Sequence, residues 1–100
     1  ESEKNIMDPE VREAIKQYAS LDGAFIIRED GVVLSAGRYL YATSKDIKLP
    51  LGLGARHAAG ATITRETKAV ALVVSQTSGA IRIFESGQII YELQSRPRMA

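Results

Sequence analysis

Cysteine is absent from these 100 residues, which excludes disulfides, thiolate nucleophiles and cysteine-ligated zinc or iron–sulfur centres. Histidine occurs once, at His57, so the chain holds no multi-histidine metal cluster and offers no obvious Ser/His/Asp set or pair of catalytic carboxylates. No apolar run approaches the roughly 20 residues of a membrane helix, and no signal peptide is visible. The expectation is therefore a soluble, cytoplasmic protein without a membrane partner. Excess charge is also missing. Thirteen Lys and Arg stand against twelve Asp and Glu, for a net +1, and the basic residues are scattered. Extended nucleic acid needs a basic stripe, so it is not an expected partner.

What remains is ordinary globular composition, 45% hydrophobic and 25% charged, which suits a packed core and not disorder. The length allows one small domain. A chain of this size buries only about two thirds of the surface its unfolded form exposes, so an oligomeric partner would add useful burial. The first residue is Glu1 and not Met, as expected of a piece cut from a longer protein.

Residues 1–7 have the composition of a linker or tail, and 96–100 of a polar tail, leaving 8–95 as the domain. Asp8-Pro9-Glu10 predicts a helix start: a side-chain cap, a residue that needs no N–H, and a carboxylate at the positive end of the helix dipole. Val11, Ala14, Ile15, Tyr18 and Ala19 then recur on one helical face. Ala24–Arg28 and Val32–Leu34 read as strands around Glu29-Asp30-Gly31, where the Asp-Gly pair supplies the positive φ angles of a hairpin turn. Residues 36–55 lack a sustained period and predict a long surface loop. Arg56 to about Ile63 predicts a short helix. Ala69–Val74, apolar throughout, predicts a strand covered on both faces. Ala80–Phe84 and Gln88–Leu93 predict a second hairpin around Ser86-Gly87. The sum is an α/β (α+β) fold, a mixed central sheet of about five or more strands flanked by helices.

Four places could carry chemistry. Asp22-Gly23-Ala24 offers a carboxylate for a hard divalent cation beside small residues that let a ligand approach the backbone. Leu51-Gly52-Leu53-Gly54-Ala55-Arg56-His57 is a glycine-spaced loop opening into a helix, whose free N–H groups, with the guanidinium of Arg56, suit phosphate oxygens. Its spacing matches neither a Walker loop nor a dinucleotide fingerprint. Ser75-Gln76-Thr77-Ser78-Gly79 follows the apolar strand at its carboxyl end, where ligands gather in parallel sheets. Tyr39 and Tyr41 could stack on a base. Taken singly, each also reads as an ordinary turn, a packed histidine or a surface tyrosine.

Taken in order, DGA (22–24), GARH (54–57) and VVSQTSG (73–79) resemble the diadenylate cyclase family, with its Asp-Gly-Ala motif, Gly-Thr-Arg-His-Arg motif and Ser-Glu pair after an apolar strand. The resemblance runs from about Val11 to Leu93. FIIREDGVVLSAGRYL and KLPLGLGARHAA are most similar to the archaeal branch, in which the cyclase domain follows another domain. The resemblance implies an enzyme that joins two ATP into cyclic di-AMP, using a divalent metal (manganese or magnesium) and a head-to-tail homo-oligomer. It implies that Asp22 ligates the metal and helps polarise the attacking 3′-hydroxyl, and that Gly23 and Ala24 lie close to the nucleotide. Tyr39 and Leu40 match the pair that contacts adenine. Gly54, Ala55, Arg56 and His57 fall on the triphosphate motif, and Ser75 and Gln76 on the serine–glutamate pair.

Three positions depart from that pattern. Ala55 stands where the family has threonine, Ala58 where it has the second arginine, and Gln76 where it has glutamate. A lost hydroxyl and a lost guanidinium weaken phosphate binding, and an amide is a poorer ligand for a hard cation. A nucleotide-binding or cyclic di-AMP-binding regulatory module is thus the second reading. The third is a roadblock-like protein-interaction scaffold, which GAFIIREDGVVLSAG also resembles.

Overall fold

In the computed structural model, which describes residues 3–19, 21, 23–42, 47–50 and 52–94, Asp8 caps the first helix as its place before Pro9 predicts. Its carboxylate accepts from the backbone N–H of Glu10 at 2.9 Å, opening α1 (Pro9–Tyr18). Lys16 closes the helix with an i,i+3 pair to Glu13 at 2.9 Å. The helix belongs to the first of two compact units, residues 1–40 and 41–100.

The rest of the first unit is a hairpin of β1 (Ala24–Ile27) and β2 (Val33–Arg38). Its turn is tighter in its demands than the Asp-Gly pair suggested. Among the described residues of the turn only Gly31 has a positive φ, +97°, and its N–H donates to the Arg28 carbonyl at 2.8 Å. Asp30 instead clamps Arg28 with two 2.9 Å hydrogen bonds. Ahead of α1, Lys4 to Ile6 lies along the hairpin: Val33 N–H donates to the Lys4 carbonyl, and Ile6 N–H to the Gly31 carbonyl. Strand β2 runs on to Arg38, past its expected end at Leu34, because Gly37 (φ +70°) lets it bend and still pair Arg38 with Ala24. Val11, Ala14, Ile15, Tyr18, Phe25 and Val33 line a shallow groove along α1.

The second unit packs α2 (Ala55–Glu66) on an antiparallel sheet of β3 (Val70–Val74), β4 (Ile81–Glu85) and β5 (Gln88–Leu93). The helix is longer at both ends than the small residues after Arg56 suggested. Gly60 makes the packing possible: a Cβ there would fall 2.8 Å from Val73 and 3.4 Å from Phe84. Ala61, Val73 and Phe84 form the core, with Ile47, Leu49, Ala71 and Ile89 around it. Buried Thr64 donates to the Gly60 carbonyl at 2.8 Å and accepts from Gly87 N–H at 3.0 Å, tying the helix to the β4–β5 turn. That turn is the two-residue type expected from Ser86-Gly87, with both φ angles positive (54° and 80°).

Two expectations are corrected. The five described strands divide into a two-stranded and a three-stranded sheet and not one mixed sheet of five, and every described pairing is antiparallel. Each described strand neighbour is reached by a short turn, so the ladders are local. Among the described residues the apolar strand β3 is covered on one face only. Ala71 and Val73 face α2, whereas Val70, Leu72 and Val74 on the other face are exposed, Leu72 by 62%.

Candidate functional site

Strand β3 returns antiparallel to α2, and this topology decides which motifs meet. Gly87, at the β4–β5 turn, bonds Thr64 near the end of α2. Arg82, whose register partner is Val73, bonds His57 in the first turn of α2. The carboxyl end of β3 therefore lies at the same end of the second unit as the start of α2. Gly54, Ala55, Arg56 and His57 share that end with Ser75 and Gln76.

At the helix start, Gly54 occupies the cap position in extended conformation and makes no side-chain cap. Ala58 N–H is bonded to the Gly54 carbonyl at 3.1 Å, so the first backbone N–H groups of α2 precede the helical ladder, with a partial positive charge behind them. Arg56 is half-buried.

Ser75 is held by the β3–β4 turn. Its N–H donates to the Ala80 carbonyl at 2.8 Å, its carbonyl accepts from Gly79 at 2.9 Å, and its Oγ accepts from Ser78 N–H at 3.3 Å. Among the described residues the hydroxyl hydrogen meets no acceptor, which leaves it chemically able to donate. Because β3 and β4 are antiparallel, the turn does not stand at the edge of a parallel sheet as the sequence suggested. It is placed beside the helix start by hairpin closure. Gln76 is exposed.

His57 is 5% exposed. Its Nε2 lies 3.2 Å from a terminal nitrogen of Arg82, and its ring centroid 6.1 Å from that of Phe84. Arg82 in turn pairs with Glu92 at 2.8 Å. Neither Arg82 nor Glu92 was picked out from the sequence. The available signal was an arginine between Ile81 and Ile83, in phase with Phe84, where a strand should carry an apolar residue inward. Burial, and then the charge of Arg82, push the His57 pKa below its usual 6.5.

That shift has a sign. Between the lowered value and 6.5 the unfolded chain binds more protons than the folded one, so the His57 contribution is complete above about pH 6.5 and is lost as pH falls below it. Replacing His57 by Gln should therefore destabilise the protein by more at about pH 7.5 than at about pH 5.5 in urea unfolding. A difference that does not change between those two conditions would show that the imidazole protonates equally well in both states.

Gly23, Ala24, Tyr39 and Leu40 belong to the first unit. Gly23 (φ +98°) backs onto Gly37, whose backbone would lie 2.7 Å from a Cβ at residue 23. Ala24 begins β1, Tyr39 is 82% exposed and Leu40 is half-buried. Tyr41, in the second unit, is 77% exposed. Asp22 and Leu51 lie outside the described residues. Among the described residues no three His, Asp or Glu side chains form a cluster fit to hold a metal ion. No described helix is long and apolar enough to cross a membrane.

A family model described as DisA bacterial checkpoint controller nucleotide-binding, the DAC domain, matches residues 1–89. The chain belongs to the DAC family. Within it, the chain resembles the archaeal branch. A protein of Methanocaldococcus jannaschii named diadenylate cyclase is 47% identical over 92% of this chain, and one of Haloferax volcanii with the same name is 45% identical over 86%. The matches cover 29% and 32% of those relatives, so this DAC chain spans about a third of their length.

Proposed function

We propose that this DAC chain forms the ATP-condensing domain of a cytoplasmic diadenylate cyclase. The observation that carries the reading is the 45–47% identity to two proteins of that name across most of the chain. Two domains, head to tail, each present one ATP. The 3′-oxygen of each nucleotide bonds to the α-phosphorus of the other, the bond from that phosphorus to the bridging oxygen breaks, and pyrophosphate leaves. Two such steps convert two ATP into cyclic di-AMP and two pyrophosphates, with the two hydroxyl protons released.

The chain's task in such a reaction is in-line positioning and neutralisation of phosphate charge, with no covalent enzyme intermediate. Gly54, Ala55 and the other N–H groups at the start of α2, with Arg56, His57 and the hydroxyl of Ser75, suit the triphosphate; Gln76, next in the chain after Ser75, would join them. The family resemblance assigns nucleoside contacts to Gly23, Ala24, Tyr39 and Leu40 of the first unit. A manganese or magnesium ion would rest on Asp22 and phosphate oxygens, a donor set of the kind magnesium accepts, and would supply further charge neutralisation.

The test is incubation with ATP and either metal, identifying the product by mass. Cyclic di-AMP should form at a rate per domain that rises with protein concentration, since two sites must meet. ATP binding without product would favour the regulatory module that Ala55, Ala58 and Gln76 suggest. No nucleotide binding at all would favour the scaffold. Arg56→Ala should lower ATP affinity or turnover about 10- to 100-fold, the worth of one hydrogen-bonded charge, while leaving the circular dichroism spectrum unchanged. Equal activity in the variant would remove Arg56 from the phosphate site.

A further inference from the structure

His57 is the one imidazole of the chain, and what it can do depends on where its hydrogen sits. A guanidinium has five N–H donors and no acceptor. The 3.2 Å contact between Arg82 and His57 Nε2 can therefore be a hydrogen bond in one direction only, with Arg82 donating. Nε2 must offer its lone pair, which leaves the ring hydrogen on Nδ1.

Arg82 is itself held. It lies on the α2-facing side of β4 with a side chain only 14% exposed, and its other terminal nitrogen pairs at 2.8 Å with Glu92, its register partner on β5. A cation this sheltered is costly unless paired, so the ion pair fixes the guanidinium in the orientation that presents its second N–H to the histidine. Phe84, fully buried, bounds the ring on another side.

We infer that Arg82, braced by Glu92, is a positioning residue that locks His57 as the neutral Nδ1–H tautomer, so that the histidine serves the nucleotide as an N–H donor and not as the base that takes the 3′-hydroxyl proton. The functional half of this inference rests on the proposed cyclase reading. The tautomer itself does not, because it is set before any nucleotide binds.

Long-range proton–nitrogen NMR spectra of the nucleotide-free protein decide the first half. Wild-type His57 should show a pyrrole-type Nδ1 and a pyridine-type, hydrogen-bond-accepting Nε2. Arg82→Met removes the donor, and a population with the hydrogen on Nε2 should appear. Arg82→Lys keeps a donor and should restore the wild-type pattern. Glu92→Gln is a gentler variant, should Arg82→Met fail to fold, and should broaden or mix the two nitrogen signals. Turnover should fall about tenfold in Arg82→Met, mainly in kcat, and recover in Arg82→Lys, about the worth of one hydrogen bond from a charged donor. Hydrogen on Nε2 in the wild type, or an unchanged tautomer in Arg82→Met, would overturn the inference. The expected tautomer in a wild-type protein that makes no cyclic di-AMP would leave the lock standing and sink the cyclase reading instead.

Discussion

Phe84→Ala should cost the second unit about 3–5 kcal/mol, a large part of the roughly 5–15 kcal/mol that holds a typical domain together. The reason is the size of the core. Phe84 is completely buried, and the other buried residues of its cluster are Ala61 and Val73. Truncation removes the largest side chain there and leaves a void that the backbone of α2 cannot close, because Gly60 already brings helix and sheet near contact. Phe84→Leu should lose less, since most of the volume stays. Urea unfolding of the three proteins checks the order, and a loss under about 1 kcal/mol for the alanine variant would mean that the site collapses freely. The same truncation strips one wall from the His57 ring. The NMR signature of its tautomer should therefore blur in any Phe84→Ala protein that still folds.

Local chemistry was legible in the sequence, and long-range chemistry was not. Asp8, Asp30-Gly31 and Ser86-Gly87 act within a few residues, and a helix cap and two hairpin turns follow from them. The division of five strands into two sheets lies in which strands do not pair, since every described ladder joins neighbours in the chain, and hydrophobic period does not show which strands stay apart. The apolar run of β3 was misjudged for a related reason. Val70, Leu72 and Val74 carry the composition of a covered face, yet the described residues leave that face open. His57 shows the same limit within the site. Its place on a helix start was readable from Gly54 onward, but its partner Arg82 lies 25 residues away and is brought there by the return of β3 and β4 along α2. The topology puts the start of α2 and the Ser75 turn at one end of the second unit, which the motif spacing alone does not reveal.

Gly23→Ala should destabilise the first unit by about 3 kcal/mol, before any nucleotide is present. Two costs add. At φ +98° an alanine must adopt left-handed backbone, worth about 1–2 kcal/mol. Its Cβ would also stand 2.7 Å from the carbonyl carbon of Gly37, and backbone is far harder to displace than a side chain. Gly37 separates the two terms. It has φ +70°, but nothing lies within 4 Å of a Cβ built there, so Gly37→Ala should lose only the conformational part, about 1–2 kcal/mol. If urea unfolding finds the two variants equally weakened, close approach is not what requires glycine at residue 23. If Gly23→Ala loses more, the glycine of Asp22-Gly23-Ala24 is explained by strand packing alone: the space that a ligand-approach reading assigns to the nucleotide is already filled, on that side, by Gly37. Any contact Gly23 makes with a nucleotide must then come from its opposite face.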